Sequence, residues 1–143
     1  LKNKDARIMM SEASLLAGIA ISQTFTAICH SISYPLTAHY RIQHGFACAF
    51  TMKSVAKMIL SKKPDCLKEV IFHNKINSAN TLIDELERLI DTLKVKDINK
   101  KNFKDKNSLF GLVNEMINPG RSDNFILPVD ESLILKILEE SYS

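Results

Sequence analysis

No stretch of this 143-residue chain sustains the period-two alternation that a half-buried strand requires, whereas apolar residues recur three and four positions apart over most of its length. The clearest case is SANTLIDELERLIDTLKV, in which Leu82, Ile83, Leu86, Leu89, Ile90 and Leu93 fall on one stripe of a helix. Only four glycines and four prolines interrupt the pattern. Both features predict an all-α fold, a helical bundle in which residues 1–143 form a single domain. A chain this long can bury roughly 68–70% of its unfolded surface.

The first predicted element runs from about Asp5 to Ala27, with Ile8, Met9, Leu15, Leu16, Ile19, Ala20 and Ile28 at helical offsets. A helix apolar around so much of its circumference is expected to be buried on several sides, and Ala13, Ala17 and Gly18 leave room for a close neighbour. Pro35 disfavours helical geometry at Tyr34, which places a break or turn there. A second apolar helix is expected from about Gly45 to the lysines before Pro64. Beyond it lie amphipathic helices, with Asp65 as an N-cap and Asp84–Arg88 as an i,i+4 ion pair. DINKKNFKDKNS reads as a polar connection, SLFGLVNEMI as a short helix, Pro119-Gly120 as a turn, and the last helix begins after Asp130.

Composition narrows the class. The net charge of +3 comes from lysines interspersed with acids, the pattern of a solvated surface rather than of a nucleic-acid-binding face. The apolar run SLLAGIAISQTFTAI is too short and too polar to be read as a membrane span. Cys29, Cys48 and Cys66 are odd in number and lack CxxC spacing, so reduced thiols in a cytoplasmic protein are the expectation. No glycine-rich phosphate loop and no HExxH occurs, so no residue here is assigned to a nucleotide.

What chemistry remains is concentrated in ICHSISYPLTAHYRIQHGFACAF, which holds three of the four histidines. His30 closes the first predicted helix and His44 opens the next. Two helix ends meeting across a turn can bring both imidazoles onto one divalent ion, for which iron, zinc or nickel is suited. Equally, each ring can hydrogen-bond backbone at its own helix end. Spacing alone leaves both readings open.

The same residues resemble the signature of the iron-dependent (group III) alcohol dehydrogenases. Ala17-Gly18, His30, Pro35-Leu36, Tyr40, His44-Gly45 and Ala47 fill that family's pattern in order, and NPGRSDNF and DESLILKILEESY are similar to its closing loop and final helix. The likeness is specific over residues 1–57 and a matter of helical texture over 66–118. It implies the C-terminal part of the helical domain that this family shares with dehydroquinate-synthase-like proteins. It further implies that His30 and His44 are two of four protein ligands to iron(II) or zinc. The other two, an aspartate and a histidine, belong further upstream than the 29 residues before His30. The chain is therefore expected to be a fragment, inactive alone, of a parent that uses NAD or NADP on a small alcohol or aldehyde.

One position departs from the pattern. Many members carry a second histidine four residues after the first ligand, and here that place is taken by Tyr34. The serine–tyrosine pair before the proline resembles the phosphonoacetaldehyde-reductase-like branch. It makes Tyr34 the candidate catalytic residue and a short, anionic aldehyde a candidate substrate. Arg41, Lys53 and Arg121 are candidate partners for such an anion. His39 is expected to be exposed or behind the ligands, and His73 to be structural. A fragment of this kind should expose an apolar face where the missing helices packed, favouring homodimers. The competing expectation is a stand-alone helical interaction module without catalysis, which the coding sequence upstream of Leu1 would distinguish.

Overall fold

The computed structural model describes residues 3–103 and 105–143; within them every regular element is helical and no strand occurs. The order is α1 (Lys4–Gln23), α2 (Ile28–Tyr40), α3 (His44–Phe50), α4 (Met52–Lys62), α5 (Lys68–His73), α6 (Ala79–Thr92), α7 (Val95–Asn102), α8 (Lys106–Phe110) and α9 (Glu131–Tyr142). Short 3-10 turns cover Pro64–Leu67, Val113–Met116 and Ser122–Asn124.

The core is organised around α2. Ile28, Ile32 and Leu36, four apart, form one fully buried stripe, and Ile134, Ile137 and Leu138 of α9 are buried in the same apolar cluster. Ser31 sits on the same side, its hydroxyl donating to the Met116 carbonyl while accepting from the Asn118 N–H. Helix α9 is held to α4 by buried hydroxyls: Ser141 donates to the Ile137 carbonyl, and Ser54 lies 2.8 Å from Ser141. Local signals set several ends, since Ser78 caps α6 through the Thr81 N–H and Asp130 caps α9 through the Leu133 N–H.

Several expected boundaries are corrected. Pro35 lies inside α2, not at a break. Its cost in a helix interior, about 3 kcal/mol, is outweighed by the buried stripe that continues through Leu36. The chain breaks instead at 24–27, where the axis turns by 107° between α1 and α2. The second apolar helix is two helices, divided at buried Thr51. Asp65 is within the Pro64–Leu67 turn, paired with Lys68 at 2.7 Å, rather than capping a helix. Asp84 and Arg88 form no ion pair among the described residues; both are exposed, where pairing is worth little.

The segment read as a polar connection holds most of α7. Val95 and Asn99 face inward, and the Asn99 amide donates to the Val95 and Phe46 carbonyls at 2.8 and 3.0 Å, tying α7 to α3. Lys104 of that segment lies outside the described residues. The short helix expected at 108–117 is divided between α8 and the Val113–Met116 turn.

Helix α1 overturns the expectation of burial on several sides. None of its described residues is buried, Met9 and Leu16 are 68% and 67% exposed, and a side chain added at Gly18 would meet nothing within 4 Å. Apolar periodicity reports a preference for burial; it cannot supply a neighbour. No single helix is long and apolar enough to cross a membrane among the described residues.

Candidate metal centre

Helices α2 and α3 pack against one another across the three-residue turn 41–43, and this turn creates the site. Arg41 ends α2 in the left-handed region (φ 54°), its N–H bonded to the Thr37 carbonyl, so the chain reverses at once. His30 stands in the first turn of α2, not at the end of a preceding helix, and His44 is the first residue of α3. The two rings lie edge to face with centroids 5.3 Å apart. Fourteen positions of sequence are thereby closed to ring contact.

Four neighbours complete the arrangement. Ser33, one turn beyond His30, donates its hydroxyl hydrogen to the His30 carbonyl at 2.8 Å and lies 3.3 Å from His44 Nδ1. With that hydrogen committed, the second contact is satisfied only when Nδ1–H donates to the serine oxygen. His44 Nε2 is then left with a free lone pair, the form a metal requires. Cys48, one turn along α3, brings Sγ to 3.6 Å from His44 Nε2. Tyr34 stacks on His44 at 5.7 Å, and the Arg121 guanidinium lies 4.7 Å above the tyrosine ring.

Electrostatics favour neutral imidazole at His30. Burial, then His44, then Arg121 hold it below its ordinary value of 6.5. The donor atoms of His30, His44 and Cys48 lie within 4.8 Å of one another, two borderline nitrogens and one soft sulfur, a set suited to a late first-row divalent ion. Beside them is a cavity of about 450 Å³ whose lining includes Thr24, Phe25, Tyr34 and Arg121.

The remaining candidates separate. Arg121 faces the cavity, Lys53 is engaged by Glu87 on α6, and Arg41 lies at the far end of α2. His39 is exposed and pairs with Glu115 at 2.7 Å; His73 pairs with Glu69 on α5. Cys29 is half-buried, and desolvation pushes its thiol up to about 11, against the lowering effect of the Thr51 hydroxyl. Sequence reasoning did not place Ser33 or Cys48 at the site. The available signal was helical spacing, three from His30 and four from His44.

Ser33→Ala is expected to weaken divalent-metal binding by roughly 10- to 100-fold, because His44 loses the acceptor that selects its tautomer. Metal titration with 15N chemical shifts of the imidazole checks it; unchanged affinity and an unchanged tautomer would show that Ser33 does not orient the ring.

Comparison with known proteins identifies relatives of the sequence. The family described as Fe-containing alcohol dehydrogenase, C-terminal, matches residues 1–141. The NADPH-dependent butanol dehydrogenase of Clostridium saccharobutylicum is 33% identical over 103 residues, 69% of this chain and 25% of that protein. The long-chain-alcohol dehydrogenase 1 of Geobacillus thermodenitrificans is 28% identical over 99 residues, 62% of this chain and 24% of its own length. The phosphonoacetaldehyde reductase of Streptomyces viridochromogenes is 43% identical over 47 residues, 33% of this chain and 12% of that protein. The chain thus spans a quarter or less of these relatives, and no solved structure matches it.

Proposed function

This chain belongs to the Fe-containing alcohol dehydrogenase family, as its C-terminal part, and from that premise we propose that it is the metal-binding helical domain of an NAD(P)-dependent alcohol dehydrogenase or aldehyde reductase. The observation that supports the metal reading is the contact between the His30 and His44 rings at 5.3 Å, with Ser33 beside His44 Nδ1. The donor set suits iron(II) or zinc. A divalent ion held there supplies Lewis acidity toward the oxygen of a small alcohol or aldehyde.

The chain's own residues then have distinct tasks. His30 and His44 donate neutral nitrogen, and Ser33 fixes the His44 tautomer. Tyr34, stacked on His44 and 38% exposed, has a phenol free to hydrogen-bond a substrate oxygen or a relay water. Arg121, over the Tyr34 ring and lining the neighbouring cavity, gives that cavity positive charge. This favours a short aldehyde carrying an anionic group, a phosphonoacetaldehyde-like substrate among them.

NAD or NADP is the proposed hydride partner. The residues present do not fit a nucleotide site, since no glycine-rich phosphate loop occurs, and no step is assigned to it here. The exposed apolar side of α1 is read as the seat of further parts of the parent, or of a second copy when the chain is alone. Free thiols at Cys29, Cys48 and Cys66 accord with a cytoplasmic setting.

The test is made on the full-length, metal-loaded parent, following NADH and NADPH oxidation with short aldehydes, butanal and phosphonoacetaldehyde among them. Turnover with at least one is expected, and an anionic preference should be lost in Arg121→Met. A parent that reduces no aldehyde with either nucleotide would overturn the proposal.

A further inference from the structure

We infer that Cys48 is a third protein donor to the ion, so that this chain by itself offers a two-nitrogen, one-sulfur site; the inference rests on the imidazole reading above. The geometry carries it. Sulfur and nitrogen bonded to one tetrahedral zinc-like ion, at about 2.3 and 2.0–2.1 Å, stand about 3.6 Å apart. Cys48 Sγ already lies 3.6 Å from His44 Nε2, the nitrogen that Ser33 leaves unprotonated. His30 offers a ring nitrogen within 4.8 Å of both other donor atoms, which completes the set of three.

Placement on the chain supports the same assignment. His44 and Cys48 are i and i+4 on α3, which superposes their side chains on one face, and α2 presents His30 to that face. The other cysteines are differently placed. Cys29 adjoins His30 in sequence yet is not among the converging donors, and Cys66 is exposed on the Pro64–Leu67 turn. On binding, the Cys48 thiol proton leaves to solvent as the sulfur–metal bond forms. A soft sulfur in the set favours zinc or cobalt over the harder ions that oxygen donors attract.

Titration of this chain with cobalt(II) alone tests it, because a cobalt–thiolate bond has a near-ultraviolet charge-transfer band that imidazole ligation lacks. Wild type is expected to show the band. Cys48→Ser and Cys48→Ala should lose it and bind cobalt at least roughly tenfold more weakly, with the fold checked by far-ultraviolet circular dichroism. Cys29→Ser and Cys66→Ser should retain it. Histidine-dependent cobalt binding without the band in wild type, or a band that survives in folded Cys48→Ser, overturns the sulfur assignment and leaves the imidazoles standing. Cobalt uptake undiminished in His30→Ala/His44→Ala would instead overturn the reading beneath it.

Discussion

Replacing His30 and His44 together with alanine is expected to weaken binding of a divalent ion by more than about 100-fold, since two direct donors are lost where even an outer-shell partner is worth roughly 10- to 100-fold. The fold should survive. His44 is exposed and His30 half-buried, and neither belongs to the apolar cluster that α2 builds with α9. Metal content by elemental analysis and circular dichroism on the same samples separate loss of donors from loss of structure. The single variants should fall between wild type and the pair, and more steeply than additivity allows, because one remaining imidazole cannot orient an ion. In the full-length parent the double variant should also stop turnover. Undiminished turnover there would remove the catalytic role of this pair.

Truncating Leu138 to alanine should cost roughly 2–5 kcal/mol, whereas the same truncation at Leu16 should stay within about 0.5 kcal/mol. The residue type and helical setting are alike; the surroundings are not. Leu138 is 0% exposed in α9, within the cluster that includes Ile32 and Ile137, so its removal leaves a cavity with rigid walls. Leu16 is 67% exposed on α1 and takes few contacts with it when it goes. Denaturant titration of both variants decides the matter. A Leu16→Ala loss as large as that of Leu138→Ala would mean that α1 is covered in solution; its dependence on protein concentration would show whether a second copy does the covering.

Much of the fold was legible residue by residue. The helical class, the start of α9 after Asp130 and the helix that buries Ile83 and Ile90 all follow from spacing and capping chemistry, although Leu89 and Leu93 of the same apolar stripe are exposed. Such signals involve neighbours within a turn, so they survive without knowledge of the rest of the chain. Where the reading erred, a distant element intervened. Pro35 stayed helical because Leu36 on its far side is buried, and α7 formed where polarity suggested a connection because Asn99 found carbonyls on α3 and its own helix.

At the site, the candidate histidines and tyrosine and the family likeness were contained in the order of residues, whereas the turn expected at Tyr34 lies at 41–43 and His30 opens its helix rather than closing one. Tertiary structure alone decided that the rings meet, that Ser33 lies 3.3 Å from His44 Nδ1, that the Cys48 sulfur lies 3.6 Å from His44 Nε2, and that Arg121 returns from a late loop to lie over Tyr34. The physical reason is range. Backbone preferences act over a few residues and are worth about 1 kcal/mol each, proline apart. The meeting of side chains far apart in the chain is set by burial summed over the whole core, which no local stretch contains.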